Sequence, residues 1–414
     1  PFLVDIDYAE FLQRFGELGM QAIANDHDMA IYEAVRQLSI VKEDGNSSAA
    51  DIASAEADVE RLQNMKVAPS EANLLARLHW WTVEYGLVGE LTDYTIYGAG
   101  LLCSLSESQS CLDDRKVDKR ALTLHALNTA YDITAPQPQL FVTQSCRHLS
   151  QVLEEYGRHM CCYRGGASAL EEAMIAGTVV TSTYNSGLQV AGKISRVLTD
   201  PVGNAIYINT EGPTQLAYEG AELPGHGIQY HAQGFGSPIG RLRAMERCLS
   251  DYTVDELKRH HIEIDTQVTL HFLSGITVQG TLTAIVRRRQ RNILFSFEDC
   301  TVSDVEGNVL FDPSWGTFDM AIGDTVVSVA GGSADQTAYP MYKAPSHNVT
   351  AAQAVSDSAR AQFELYTRLR ALRETQNDDP QLIDHILHND ALGWLIKFEA
   401  YEISQSEALK QPLN

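Results

Sequence analysis

The stretch LHWWTVEYGL, residues 78–87, decides how this chain is interpreted. On a helix, Glu84 shares a face with Trp80 and Trp81, which lie about one turn earlier. Burying an ionised carboxylate without a partner is costly, so a Glu beside aromatic surface normally has a cation or a metal next to it. It can instead point to solvent or pair with Arg77. The local pattern leaves both readings of Glu84 open.

The sequence around this stretch is mostly helical up to about residue 165. Apolar residues recur with the period of one helix face, and polar or Gly-containing breaks separate the runs. Ser70 follows a proline and is expected to cap the helix that contains Glu84. The pattern predicts helices over 8–18, 28–41, 51–65, 71–88 and 148–156, with a small strand over 139–143.

The apolar period changes from 3.6 to 2 near residue 175, which indicates β-strands. Strands are expected over 179–183, 188–197 and 205–209. The phrase SGLQVAG at 186–192 returns as SGITVQG at 274–280, so an internal duplication is the simplest explanation. The predicted fold class is therefore α+β. It comprises a mainly α-helical domain over 1–165, a duplicated all-β domain over 166–335, and a linker and helical tail over 336–414.

Composition excludes several classes of function. The chain has 414 residues and a formal charge of −23, which disfavours nucleic acid and an anionic membrane surface as partners. No apolar run reaches the ~20 residues of a membrane span, and the first residues do not look like a secretory signal. The seven cysteines form no Cys-x-x-Cys pair, which is typical of free thiols in a reducing compartment. A cytoplasmic location is expected.

Three motifs occur in order: residues 76–87, the run IYGAGLLCS at 96–104, and QPQLFV at 137–142. Together they resemble the pterin-dependent aromatic amino acid hydroxylases, and within that family a long bacterial phenylalanine 4-hydroxylase. The likeness covers roughly residues 1–165, which would be the C-terminal part of that family's catalytic domain.

The resemblance implies a non-haem Fe(II) held by two His and one Glu, and a tetrahydropterin cofactor. Glu84 falls on the family's Glu. The family's two histidines belong to a His-Glu-x-x-x-His helix, and Pro1 is expected to follow directly on it. Both histidines, and the residues that bind the pterin ring and the substrate carboxylate, would then lie outside the 414 residues.

The resemblance also implies roles for four pocket residues. Trp80 is expected to contact the aromatic ring of the substrate, and Gly100 to border the pocket. His79 stands where Tyr is usual, on the pterin side. Cys103 stands where Ser often supports a ligating His; a thiol is a weaker donor there. Core packing is the alternative for Trp80 and Trp81, and expected for one of them, and Cys103 can equally be a small apolar filler.

No other histidines replace the missing pair convincingly. His226 and His231 have the same interval as the family's two histidines, but glycine flanks the first and no Glu follows it. His385 and His388 lie one turn apart on the expected tail helix. A structural or solvated role is expected for both pairs, with His226 and His231 the stronger candidates for a ligand role.

The expected function is hydroxylation of L-phenylalanine to L-tyrosine with O2, a monooxygenase reaction using iron and reduced pterin. Tyrosine or tryptophan as substrate is left open, and so is a homo-oligomer. The alternative is a non-catalytic fragment whose β-domain binds a partner or ligand beside an incomplete metal site.

Overall fold

The structure is a computed structural model that describes residues 5–44, 47–132, 135–340, 356–375, 379–389 and 391–404. The chain divides into two compact units, residues 1–342 and 343–414. The expected three-part division, with boundaries at 165 and 335, stays a prediction.

The first part of the larger unit is helical, as the apolar periodicity predicts. Side-chain caps fix several helix starts; for example, Ser70 Oγ accepts the backbone N–H of Asn73 at 3.0 Å. Buried apolar side chains of the helices and of a small sheet form one core. The helices of this unit are α1 Ile6–Gln21, α2 Asp26–Glu43, α3 Ala49–Gln63, α4 Glu71–His79, α5 Ala99–Cys103, α6 Leu105–Ser110, α7 Cys146–Gly157, α8 Cys161–Arg164, α9 Gly166–Ala176 and α10 Val254–Arg259.

The helix expected over 71–88 is shorter than predicted. It ends as a π-helical segment, Trp80–Glu84, and the chain then forms β1 Leu87–Glu90. β1 pairs antiparallel with β2 Asp93–Ile96 and parallel with β4 Gln139–Thr143, and β3 Asp118–Ala121 completes a sheet of order β2-β1-β4-β3. Local periodicity assigns Leu87 and Val88 to the helix, but in the structure they pair with β4, which is distant in sequence. Such long-range pairing can override local propensity.

The second part of the larger unit contains two sheets. The first has the strand order β15-β5-β6-β7-β8, with β9 also pairing with β7; the second has the order β10-β11-β12-β13, with β14 also pairing with β12. The strands are β5 Val179–Tyr184, β6 Leu188–Thr199, β7 Ala205–Tyr218, β8 Ala221–Glu222, β9 Gly236–Pro238, β10 Thr266–His271, β11 Thr277–Arg288, β12 Arg291–Ser303, β13 Val309–Phe311, β14 Phe318–Ala321 and β15 Val326–Gly331.

The five strands of the second sheet correspond in order to β5–β9 of the first, and β15, which pairs with β5, has no counterpart. In each set, three antiparallel strands are followed by a very short strand and then by a strand that returns to pair with the third. The similar phrases 186–192 and 274–280 open the second strand of each sheet, and both begin at a turn whose glycine has positive φ, Gly187 at 95° and Gly275 at 90°. A side chain at either position would be strained.

The smaller unit is helical. It contains α11 Asp357–Thr375, α12 Pro380–Leu387 and α13 Trp394–Ile403, which share a small apolar core. Across the described residues of both units, no helix combines the length and apolar character that crossing a bilayer requires.

Candidate active site

Glu84 lies at the end of the π-helical segment. The Tyr85 N–H bonds to the Trp80 carbonyl at 2.8 Å, five residues back, so this turn is wider than an α-helical one. Thr82 Oγ1 donates to the Leu78 carbonyl at 2.6 Å within the same turn. Single π-turns of this kind are rare and often occur at functional sites.

The Glu84 carboxylate is half-buried and unpaired. Among the described residues, no donor hydrogen-bonds to it and no Lys or Arg pairs with it. Burial raises the pKa of Tyr8, and the charge of Glu84 adds to this effect. Burial and the hydrogen bond to Glu107 raise the pKa of Tyr85 to about 12, and the charge of Glu84 again adds to the increase. A partly desolvated carboxylate without a partner is unfavourable on its own and is suited to a cation.

The glycines of the YGAG motif let the chain pass close to Glu84. A Cβ at Gly98 would lie 2.5 Å from the Glu84 carbonyl oxygen, and one at Gly100 would lie 3.0 Å from Glu84 Oε2. Any larger residue at position 100 would therefore push the carboxylate away. Gly100 keeps open the space beside the carboxylate oxygen.

Trp80 and Trp81 have different environments. Trp81 is in the core, where its Nε1 donates to the Thr129 carbonyl at 2.9 Å, so the core-packing alternative is correct for this residue. Trp80 is half-buried and stacks between two tyrosines, Tyr85 at 4.6 Å and Tyr131 at 4.5 Å between ring centroids. Its buried Nε1 has no hydrogen-bond partner. Both faces of the Trp80 ring are thus covered by protein rings.

His79 lies close to the same carboxylate. It is half-buried, and its ring meets Phe15 edge to face at 5.5 Å. Burial lowers the pKa of His79, and the charge of Glu84 opposes this only in part, so the imidazole is neutral at pH 7. Cys103, at the end of α5, is exposed.

The other histidine pairs have different surroundings. His388 is an exposed residue that pairs with Asp384 one turn earlier on α12, at 3.0 Å. His226 and His231 lie next to each other, 3.3 Å apart between ring nitrogens, with His231 buried. Asp319 is beside them. Sequence reasoning missed Asp319 and Tyr131, because no local motif marks either.

Residues 48–162 match the sequence model of the biopterin-dependent aromatic amino acid hydroxylases. The resemblance carried by the three motifs is therefore confirmed over that segment.

The relatives are more specific. A phenylalanine-4-hydroxylase of Chromobacterium violaceum is 43% identical over 77 residues, which is 18% of this chain and 26% of the relative. One of Pseudomonas aeruginosa is 36% identical over 91 residues, 22% of this chain and 35% of the relative. A crystal structure of a phenylalanine hydroxylase variant from Chromobacterium violaceum aligns at 41% identity over 19% of this chain and 30% of its own, with a TM-score of 0.19. The chain thus spans about a quarter to a third of the length of these relatives.

Proposed function

We propose that this chain contributes to the active site of a phenylalanine 4-monooxygenase, an enzyme that forms L-tyrosine from L-phenylalanine and O2 with Fe(II) and a tetrahydropterin. The observation that carries the proposal is the unpaired Glu84 carboxylate, at the family's Glu position within the matching segment. The names of the relatives support phenylalanine as the substrate.

The residues around Glu84 fit a bound metal. A half-buried carboxylate without a partner, with space kept open by Gly100, offers one oxygen ligand. Glu84 belongs to no group of three or more metal-ligating side chains among the described residues. Its partners at the metal, two imidazoles on the family pattern, would come from outside the described part of the chain. Iron and pterin, when bound, would supply the activation of oxygen.

The remaining residues would orient the substrate and exclude water. Trp80 would stack on the aromatic ring of the substrate, which requires one of its two tyrosine partners to give way. Tyr131 is the better candidate because the hydroxyl of Tyr85 is held by Glu107 at 3.0 Å. The neutral ring of His79 would border the pterin. Cys103, which stands at the end of α5 where the family often has Ser, would border the substrate pocket and support an iron-ligating His from its thiol.

The test is Glu84→Gln in the full-length gene product, with bound iron and tyrosine formation as readouts. We expect both to be lost, because an amide keeps the shape of the side chain and removes its charge. Glu90→Gln is the matched control, since Glu90 is an exposed residue of β1 and loses the same charge. Full activity of the Glu84 variant would contradict the ligand assignment and favour the alternative of a non-catalytic binding module.

We also infer that residues 166–335 form a duplicated β-domain and that 336–414 are a linker and helical tail. The shared strand order of the two sheets and the repeated phrase at 186–192 and 274–280 support the duplication. A chain that ends at residue 340 tests the boundary: it should unfold cooperatively in urea if the linker and tail are separate from the fold.

A further inference from the structure

A second carboxylate with an unsatisfied oxygen lies in the β-domain, on β14. Asp319 is 4% exposed, and its Oδ1 accepts a hydrogen bond from Ser296 Oγ at 2.5 Å across the strand pair. Its other oxygen, Oδ2, is buried and has no hydrogen-bond partner. Within the described part of the chain, no Lys or Arg pairs with Asp319. Burying a carboxylate with one oxygen that accepts no hydrogen bond is energetically unfavourable, so a compensating interaction at Oδ2 is expected.

Two imidazole nitrogens face this orphaned oxygen. His226 Nδ1 lies 3.7 Å and His231 Nε2 3.9 Å from Asp319 Oδ2, and the two nitrogens are 3.3 Å apart. Both distances to the carboxylate are too long for hydrogen bonds. The hydroxyl of Tyr230 lies near the same carboxylate, whose charge adds to burial in raising the pKa of Tyr230, but it makes no hydrogen bond to Oδ2.

The spacing of the three atoms suits a shared ion. The nearest point equidistant from all three lies in their plane, about 2.1 Å from each, and this is the length of a Zn–N or Zn–O bond. The two imidazole nitrogens are close enough to share one hydrogen bond, with the donor set by the tautomer, but neither is close enough to donate to Asp319 Oδ2. An ion between them would satisfy all three.

The two histidines are held in place by the backbone of β7. The His226 carbonyl accepts the Leu216 N–H at 2.9 Å, and the His231 carbonyl accepts the Thr214 N–H at 3.1 Å. The His231 ring also packs edge to face against Phe235 at 5.5 Å. The loop between β8 and β9 is therefore anchored at the backbone of both histidines, which limits where their imidazoles can lie.

We propose that His226, His231 and Asp319 form a binding site for a divalent first-row transition-metal ion of the Zn²⁺ and Fe²⁺ class. Two imidazoles favour such an ion over Mg²⁺ or Ca²⁺, which prefer oxygen ligands. Three protein ligands leave at least one coordination position for water. The site shares no residue with the site at Glu84 and does not depend on the proposed hydroxylase function.

The direct test is Zn²⁺ binding to the chelator-treated full chain, measured by calorimetry and, with Co²⁺ as a probe, by visible absorption. His226→Ala and Asp319→Asn each remove one ligand. Each should weaken binding by more than the roughly 10- to 100-fold that loss of an outer-shell partner causes. Ser296→Ala removes such an outer partner of Asp319 and should weaken binding about tenfold.

Two further variants serve as controls. His388→Ala removes an exposed imidazole that also pairs with a carboxylate, so it reports on non-specific binding and should leave the affinity unchanged. Glu84→Gln should leave one ion bound per chain, which separates this site from the proposed iron site. Failure of the hydroxylase proposal would appear as unchanged activity of that variant, whereas failure here appears as unchanged Zn²⁺ affinity of His226→Ala.

A measurement on the folded Glu84→Gln chain covers the case in which ligand variants do not fold. X-ray absorption at the zinc edge should show two imidazole ligands at about 2.0–2.1 Å. A first shell without imidazole, or no saturable binding of Zn²⁺ by the chelator-treated chain, would overturn the proposal.

Discussion

Gly100→Ala tests the position of the Glu84 carboxylate with a single added methyl group. The new Cβ would lie 3.0 Å from Glu84 Oε2, 3.1 Å from Tyr85 Cε2 and 3.3 Å from the Glu84 carbonyl, whereas ordinary contacts begin at 3.4 Å. The carboxylate is the end of a side chain and can move, while the carbonyl is fixed in the π-helical turn. We expect Oε2 to move by about 0.4 Å, the difference between the clash and an ordinary contact.

The effect on stability should be small because two contributions oppose each other. Ala in place of Gly within α5 favours the helix by about 1 kcal/mol. Overpacking at this contact costs about 1–3 kcal/mol. The free energy of unfolding should therefore fall by about 0–2 kcal/mol, and the variant should fold.

The effect on function should be larger than the effect on stability. A displacement of about 1 Å of a positioned group can cost about 100-fold in rate. Scaled to about 0.4 Å, a loss of about five- to tenfold in tyrosine formation follows, with weaker iron binding. Glu84 would remain present but displaced from its best position.

The assay combines urea unfolding of this chain with iron content and turnover of the full-length gene product. Gly16→Ala is the matched control, because Gly16 is exposed within α1 and a Cβ there meets nothing within 4 Å. That control should gain about 1 kcal/mol of stability and keep full activity. If Gly100→Ala behaved in the same way, the carboxylate could not lie where the structure has it.

Three other predictions follow from the described contacts. Tyr131→Ala removes a ring that competes with the substrate for one face of Trp80. Because a stacked aromatic pair contributes about 0.5–1.5 kcal/mol, the KM for phenylalanine should fall about two- to twelvefold with little change in kcat. Steady-state kinetics measures both. Cys103 is the exposed cysteine, so Cys103→Ser should abolish the fast phase of thiol titration, and a persistent fast phase would contradict its exposure. Hydrogen bonds from Thr253, with help from Arg247, lower the pKa of Glu256 to about 2. Its contribution to the free energy of unfolding is therefore full above about pH 4.5 and is lost as the pH falls toward 2. In urea unfolding at a series of pH values, Glu256→Gln should reduce the pH dependence of that free energy by up to one proton. An unchanged pH dependence would argue against these hydrogen bonds.

Much of the helical region is predictable because its signals are local. Ser70 caps α4, and the strand expected over 139–143 is β4. The end of α4 is not predictable in this way. Apolar residues continue with helical spacing to Val88, but the chain leaves the helix at Glu84 because the following residues pair with β4, which is distant in sequence.

The environment of Trp80 shows the same limit. Its position one turn before Glu84 follows from helical spacing. Its contact with Tyr85, five residues later, depends on the π-helical turn, which the periodicity does not predict. The second stacking partner, Tyr131, comes from an irregular segment after the 3₁₀ turn Leu124–Asn128. No period or motif links it to Trp80, so the covering of both ring faces could be found only in the folded chain.

Glu84 and Asp319, the two carboxylates for which a metal is proposed, differ in how they can be found. Glu84 can be found from sequence because its neighbours in the helix are also its neighbours in space, and its motif is specific. Asp319 is found only in the fold, where pairing of β14 with β12 carries it to two histidines that lie far away in sequence. The physical criterion is the same for both: a desolvated carboxylate oxygen that accepts no hydrogen bond is unfavourable unless a cation binds beside it. Since the two sites share no residue, loss of metal from one should leave metal binding at the other unchanged, and a Glu84→Gln and His226→Ala double variant should show the sum of the two single effects.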